Sequence, residues 1–351
     1  MVKLTWSIVL LTCLGTAVSV TADRQTAPVR PLPPAPLACN NFPKYYNLPV
    51  NRFFWLGAHD ATSQDRSLTE MLRDGIRLLD LNLCSSSENA IVACSDSSMT
   101  LQDIADEILD YARVQEEQVI TVNANMPDDV SLSAFEKTWD QACKVHTERV
   151  EGIDPFEDGQ CPFIYRRDIA WKSLGSLVNY DPEAPQWEGD GELVGIRSKI
   201  VLTTNRSGGP RNSVYFSEQF WRSTPKQNTP NLNEQLNTLC KTPGAVGIEG
   251  YVDPSSDGGD SSKDEGKAYF TPTIWENAIV SQNGCNIDNA GADVFVNAIL
   301  VDQYHYHLKY LHELQTRMIP VNFAKWQGQS KIKLAPSKLV SVHHPHERDE
   351  L

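Results

Sequence analysis

Two neighbouring stretches decide the fold: residues 53–60 read Phe-Phe-Trp-Leu-Gly-Ala-His-Asp, and residues 74–83 read Asp-Gly-Ile-Arg-Leu-Leu-Asp-Leu-Asn-Leu. The first is an apolar run that passes through a small-residue turn and ends in His59 and Asp60. The second is another short apolar run, and an amphipathic stretch separates the two. Short apolar runs of this kind predict buried β-strands. Two adjacent strands would bring their polar residues to the same end of one sheet.

Three polar residues, Arg77, Asp80 and Asn82, interrupt the second apolar run. We expect all three on one face of that strand, directed with His59 and Asp60 toward a common site. Polar groups within a buried strand are costly unless they are paired, which favours a functional cluster. The alternative for Arg77 is a structural ion pair with a buried acid.

Strands with polar ends, followed by helices, recur along the rest of the chain. The run at 118–122 ends in Asn-Ala-Asn, and the run at 199–202 ends in Thr-Thr-Asn. This order is typical of an α/β fold with its chemistry on the loops that follow the strands. We expect a single-domain TIM-type (β/α)8 barrel, regular or distorted. Further strands are predicted at 91–93 and 295–301, and helices at 65–73, 101–113, 131–150, 231–239, 273–280 and 304–318.

The two ends of the chain predict its compartment. Residues 1–22 carry a basic residue, an apolar run and a small-residue ending, as a cleaved signal peptide does. A Pro-rich lead-in at 23–37 precedes the barrel, which we place at 38–330. The exposed tail at 331–351 ends in Arg348-Asp349-Glu350-Leu351, which closely matches an endoplasmic reticulum retrieval signal. We therefore expect a retrieval receptor as partner and a lumenal location, or secretion if the tail is not read.

The composition limits the partners of the chain. Its formal net charge is −14 over 351 residues, which argues against nucleic acid or an anionic membrane surface as a resting partner. After the signal peptide, no apolar run is long enough to span a membrane, so we expect no transmembrane anchor.

Seven cysteines remain once the one in the signal peptide is set aside. In an oxidising compartment, pairs close in sequence are plausible disulfides: Cys84 with Cys94, Cys143 with Cys161, and Cys240 with Cys285. Cys39 is then the odd thiol. Asn205 lies in the N-glycosylation sequon Asn-Arg-Ser.

Three ordered motifs resemble the X-type barrel of phosphatidylinositol-specific phospholipase C, and within it the secreted fungal phospholipase C-like phosphodiesterases. They are Gly57-Ala58-His59-Asp60, then 74–80 reading Asp-Gly-Ile-Arg-Leu-Leu-Asp, then Val301-Asp302-Gln303-Tyr304. The resemblance implies that His59 is the general base, oriented by Asp302. It also implies that Arg77 contacts the phosphate oxygens and that Asp60 supports a second, acidic histidine.

The position of that second histidine is the main departure from the family pattern. The corresponding stretch, 91–96, reads Ile-Val-Ala-Cys-Ser-Asp, so Ser95 replaces the acid. A serine hydroxyl does not donate a proton near neutral pH as an imidazolium does. Losing a positioned acid costs about 10²–10⁴-fold in rate. The resemblance extends to calcium-dependent animal relatives and implies that Asp60, Asp80 and Asn82 occupy their metal-ligand positions. We therefore expect either that no cofactor is required, or that a calcium or magnesium ion on these residues serves the leaving oxygen.

The sequence thus predicts a phosphoric diester hydrolase of the phospholipase C type. Its substrate would be a phosphoinositide, a glycosyl-phosphatidylinositol or a related lipid or soluble phosphodiester. The alternative is a catalytically silent lumenal protein that binds phosphorylated headgroups.

Overall fold

A computed structural model of the chain describes fifteen segments. The predicted signal peptide, the Pro-rich lead-in, Cys285 and the retrieval signal all lie outside them. The described residues are 38–88, 90–115, 117–147, 161–165, 170–178, 199–206, 214–216, 220, 222–223, 225, 231–251, 271–280, 294–329, 334 and 337–339.

Eight parallel strands form one curved sheet in which neighbours along the chain are also neighbours in the sheet, except that β1 pairs with β9 and β6 does not pair with β7. The order of pairing is β6-β5-β4-β2-β1-β9-β8-β7, and β3 pairs antiparallel with β2. Within the described residues, β6 and β7 are the two ends of this order, so the barrel is open between them. The predicted α/β barrel is therefore confirmed in a distorted form. The strands are β1 Trp55–Ala58, β2 Leu78–Ser85, β3 Ile91–Ala93, β4 Ile120–Asn125, β5 Ile200–Thr204, β6 Val214–Phe216, β7 Arg222–Ser223, β8 Gly244–Glu249 and β9 Val294–Val301.

Helices connect most of these strands, and two of them begin at capping boxes. Ser67 and Thr100 each accept a hydrogen bond from the third helical residue, whose acidic side chain bonds back to the cap. These caps satisfy backbone N–H groups that have no partner within the helix. The helices are α1 Leu68–Arg73, α2 Leu101–Val114, α3 Leu132–Thr147, α4 Leu174–Leu177, α5 Leu232–Cys240, α6 Pro272–Val280 and α7 Leu308–Trp326. Short 3-10 turns occupy Pro43–Tyr45, Val50–Arg52, Ala61–Ser63 and Tyr304–His307, and Ala38–Asn41 forms an irregular, partly left-handed turn.

The barrel interior is packed where β1 passes between β2 and β9. A Cβ atom on Gly57 would lie 2.5 Å from Leu300 Cδ2 and 3.0 Å from Leu78 Cδ2. A larger residue at position 57 would displace these leucine side chains, because overpacking a core forces neighbouring side chains out of their rotamers. Leu78 and Leu300 therefore pack beside Gly57, two residues before His59.

The buried stripe of α3 differs from the predicted one at its last member. The sequence predicts Phe135, Trp139, Ala142 and Val145 on one apolar face, but Val145 is 50% exposed and His146 is buried. Position 146 lies seven residues after Trp139, two helical turns further along the same face. The imidazole of His146 pairs with Asp106 of α2 at 3.0 Å.

The described cysteines follow the predicted pairing. Cys84 is bonded to Cys94 and Cys143 to Cys161, while Cys39 is a buried free thiol whose pKa is raised to about 12 by burial. Cys240 is also in a disulfide. Disulfides fit a protein of the secretory pathway. Among the described residues, no helix is long and apolar enough to cross a membrane.

Candidate active site at the barrel mouth

A histidine and a carboxylate meet where two neighbouring strands end. β1 and β9 run parallel, and the backbone N–H of His59 donates to the Val301 carbonyl at 3.0 Å. The next side chains therefore lie side by side. Nδ1 of His59 is 2.8 Å from Oδ1 of Asp302, although the two residues are 243 positions apart. Among the described residues, no hydrogen bond to Nε2 of His59 is formed.

The imidazole of His59 is held on several sides. Tyr251 stacks on it, with ring centroids 3.5 Å apart and an interplanar angle of 7°. Gln64 Nε2 donates to the His59 carbonyl at 2.5 Å, and Gln64 Oε1 accepts from the Gln303 N–H at 2.6 Å. Gln64 thus ties the loop after β1 to the loop after β9. An imidazole fixed in this way is pre-oriented for proton transfer.

Electrostatics favour the protonated form of this ring. Burial lowers the pKa of His59, but the hydrogen bond to Asp302 and the negative charges of Asp80, Asp302 and Asp60 outweigh burial and raise the pKa above the ordinary value. A carboxylate at Nδ1 also fixes the tautomer that leaves Nε2 able to accept a proton.

A buried carboxylate with an amide cluster lies beside the histidine. Asp80 pairs in register with Asn123 on β4, and Asn123 with Thr203 on β5. The amide nitrogens of Asn123 and Asn125 donate to Asp80 Oδ1 at 2.6 and 2.9 Å, and Thr203 Oγ1 donates to Asn123 Oδ1 at 2.8 Å. Burial raises the pKa of Asp80, and the opposing effects of His59, the two amides and the Asp60 N–H only partly offset it.

Two residues at the end of β8 belong to the mouth and escaped the sequence analysis. Tyr251 lies two residues after the strand end at Glu249. Its pKa is raised by burial first, then by the charges of Glu249 and Asp80 and a hydrogen bond with Glu249. The available signal was an acid closing an apolar strand, the same pattern that marks the other strand ends.

Arg77 lies outside the mouth, so the expectation that it shares a face with Asp80 is wrong. Successive residues of a strand alternate between faces, and a separation of three residues places these two on opposite faces. None of the described partners of Arg77 is an acid, so the structural ion pair is not formed either. Its guanidinium donates to Gln118 Oε1 at 3.0 Å, the Tyr111 hydroxyl at 2.9 Å, the Ile76 carbonyl at 2.9 Å and the Leu72 carbonyl.

Ser95 lies at the exposed rim, next to the mouth. The backbone N–H of Cys94 donates to the Asn82 carbonyl at 2.8 Å, which fixes the adjacent serine. Ser95 Oγ is 2.9 Å from Thr62 Oγ1, and Thr62 donates to Asp60 Oδ1 at 3.3 Å. Ser95 is thus linked to Asp60 through Thr62.

The predicted cation ligands were tested against the donor set that surrounds them. Asn125 Nδ2 lies 2.9 Å from Asp80 Oδ1 and 3.3 Å from Asn82 Oδ1, where a cation bridging those oxygens would lie. In the part of the chain that the structure describes, no group of three or more His, Cys, Asp or Glu side chains could hold a metal. With the Asn125 amide between Asp80 and Asn82, these residues do not fit a divalent cation.

Asn205, the predicted glycosylation site, is exposed. Its side chain accepts from the Met126 N–H at 2.9 Å and donates to the Met126 carbonyl at 3.1 Å. Glycosylation of Asn205 stays a prediction.

No protein-family model and no curated protein matches the chain. Among solved structures, the phosphatidylinositol-specific phospholipase C of S. aureus aligns over 73% of this chain and 88% of its own length, with 14% identity and a TM-score of 0.43. The enzyme of Listeria monocytogenes aligns over 56% and 70%, with 12% identity and a TM-score of 0.35. A double mutant of the S. aureus enzyme aligns over 48% and 52%, with 15% identity and a TM-score of 0.32, so this chain spans about half of that structure. These neighbours are bacterial, and the fungal and secreted parts of the predicted resemblance stay predictions.

Proposed function

We propose that the barrel mouth is the active site of a phospholipase C-like phosphodiesterase, with His59 as general base. The observation that supports this most is the 2.8 Å contact between His59 Nδ1 and Asp302 Oδ1 at the carboxyl ends of β1 and β9. A base oriented by a carboxylate can take a proton from a substrate hydroxyl, and such a contribution is worth about 10²–10⁴-fold. A protein that only binds its ligand has no need of an oriented base.

In the proposed reaction, a hydroxyl of the substrate attacks the neighbouring phosphorus. Its proton passes to Nε2 of His59, and the carboxylate of Asp302 stabilises the imidazolium that forms. The bond from phosphorus to the leaving oxygen breaks, and that oxygen takes a proton from water. Because the Ser95 hydroxyl is a poor acid, we expect turnover slower by about 10²–10⁴-fold than with a positioned imidazolium.

The groups beside the base suit a hydroxyl-rich headgroup. Asn82 and Asn125 are half-buried and carry amide groups, and the buried Asp80 carboxylate lies behind them. Such groups pair well with ring hydroxyls, which both donate and accept. Phosphoinositides and glycosyl-phosphatidylinositols carry such a ring, and we propose them as the substrate class. Asp60, linked to the rim through Thr62, would position that rim.

The assay that tests this function measures headgroup release from phosphatidylinositol and from a glycosyl-phosphatidylinositol. It is run with EDTA, with calcium and with magnesium, for the natural chain and for His59→Ala. We expect release by the natural chain in EDTA and almost none by the variant. Headgroup binding without release in any of the three conditions would instead establish the silent binding protein.

We further propose that the protein resides in the endoplasmic reticulum lumen through its last four residues, which match a retrieval signal. Deleting residues 348–351 should send the protein into the medium, as measured by blotting of cells and medium. Unchanged retention after the deletion would contradict a retrieval receptor as partner.

A further inference from the structure

A cavity away from the mouth is lined by residues of α1, by the C-terminal end of α2 and by residues that precede β2 and β4. Its volume is about 490 Å³, within the range of small-molecule sites. Arg73, Arg77, Tyr111 and Gln118 all line it, and we call this region the arginine cleft. None of these four residues belongs to the barrel mouth.

Arg77 is a buried cation without a described counter-ion. Its residue is only 5% exposed, and its described partners are two neutral side chains and two carbonyl groups. A buried charge that lacks an opposite charge is costly. The two carbonyl groups belong to Leu72 and Ile76, at and just after the C-terminal end of α1. The helix dipole favours a cation there, but it supplies only part of a full negative charge.

The guanidinium also keeps a donor in reserve. Arginine has five N–H groups, and the described hydrogen bonds of Arg77 use four of them. The remaining N–H belongs to Nη2, the atom that contacts Tyr111. Because Arg77 lines the cavity, a ligand inside it can accept this bond.

A second cation lines the same cavity. Arg73 is exposed and makes no ion pair within the described residues, so its planar fork is free. One acid, Asp110, also lines the cavity, and its carboxylate is shared between Arg113 at 3.5 Å and His146 at 3.4 Å. The cleft therefore holds two guanidinium groups and one carboxylate that is already paired.

We propose that the arginine cleft binds a small phosphorylated ligand, with Arg73 and Arg77 contacting its phosphate group. A guanidinium fork matches phosphate oxygens in geometry and charge. The ligand supplies the negative charge that Arg77 lacks within the protein. The site is separate from the mouth, because its lining residues include none of His59, Asp80 and Asp302.

The proposal is tested with inorganic phosphate as the probe, by isothermal titration calorimetry on the full chain. Arg73→Gln should weaken phosphate binding about tenfold or more, since a charged hydrogen bond is lost. The matched control is Arg66→Gln, which removes another exposed arginine close in sequence that pairs with Glu70 and does not line the cleft. It should bind phosphate like the natural chain. His59→Ala should also bind normally, which distinguishes the cleft from the mouth.

Three results would overturn the proposal. One is an absence of phosphate binding by the natural chain, and another is equal weakening by Arg66→Gln and Arg73→Gln, which would mean non-specific attraction. The third is loss of binding in His59→Ala, which would place the phosphate in the mouth. Because Arg73 is exposed, we expect Arg73→Gln to fold normally, so the test does not require a substitution of the buried Arg77.

Discussion

The barrel mouth and the arginine cleft use residues that lie three positions apart, yet each surrounds its basic group in a different way. In the mouth, the imidazole of His59 is surrounded by the carboxylates of Asp80, Asp302 and Asp60. In the cleft, the guanidinium of Arg77 is surrounded by neutral oxygens. Asp80 and Arg77 both come from the segment that forms β2 and the residue before it. The alternation of side chains along one strand therefore divides a set of polar residues between two separate environments.

This difference also separates two ways of satisfying a buried charge. The mouth pairs its charges within the protein, so the groups are held in place before any ligand arrives. The cleft satisfies its cation with partial charges and leaves room for an anion. The first arrangement suits catalysis, which needs pre-oriented groups, and the second suits recognition.

The largest expected effect tests whether the mouth, and not the cleft, carries the chemistry. His59→Ala should lower headgroup release by about 10²–10⁴-fold, because the general base is lost. Its far-UV circular dichroism and melting should stay near those of the natural chain. His312→Ala, on the exposed face of α7, is the control and should turn over normally. Unfolding of His59→Ala would show instead that the imidazole is a structural core group.

Asp302→Asn should sharpen the electrostatic account of the mouth. The raised pKa of His59 keeps the ring protonated, and so inactive as a base, until the pH exceeds that pKa. The variant removes a charge that raises the pKa, so the acid limb of the kcat/KM profile should move to lower pH. The plateau should fall less than in His59→Ala, because the imidazole remains. An unmoved limb would mean that Asp302 does not set the pKa.

Arg77→Met tests the cleft from the side of stability. The change removes the hydrogen bonds that the guanidinium donates to Gln118, Tyr111 and the Leu72 and Ile76 carbonyls. We expect a loss of about 1–3 kcal/mol in the free energy of unfolding. Urea denaturation measures it. The control is Arg113→Met, a half-buried arginine that does not line the cleft, and it is expected within about 0.5 kcal/mol of the natural chain. If Arg77→Met unfolded normally but lost as much activity as His59→Ala, Arg77 would act in the barrel mouth and not in the cleft.

The smallest expected effect concerns the amide between Asp80 and Asn82. Asn125→Asp replaces a donor nitrogen with oxygen beside a carboxylate, which should lower stability without metal and create a weak calcium site. Added calcium at about its dissociation constant should then raise the free energy of unfolding by about 0.4 kcal/mol. The natural chain should show no such gain. Calcium stabilisation of the natural chain would mean that its amides rearrange around a cation.

The sequence analysis predicted the strand ends well, because parallel strands bring their carboxyl ends to one edge. His59, Asp80, Asn123 and Asp302 meet for this reason. The prediction for Arg77 was wrong because side chains of a strand alternate between its two faces. Arg77 and Asp80 are three positions apart, so they point to opposite sides. The prediction for Val145 was wrong by one residue, because the next residue, His146, lies on the buried face of α3.

Other features carried too little local signal to be predicted. The strands β6 and β7 contain three and two residues, too few for any periodicity. Tyr251 follows β8 without a motif, and its stacking on His59 depends on how β8 and β1 both flank β9. Such contacts are set by tertiary packing, which one sequence does not reveal.

The 243 positions between His59 and Asp302 also bear on the order of synthesis. A chain that emerges from the ribosome presents His59, Asp60 and Asp80 early, but its base has no carboxylate until β9 is made and docks against β1. The Gln64 bridge to Gln303 forms at the same moment. A nascent or truncated polypeptide therefore carries most of the mouth without a working dyad. Under the proposed function, the base would therefore become active only when the barrel is complete.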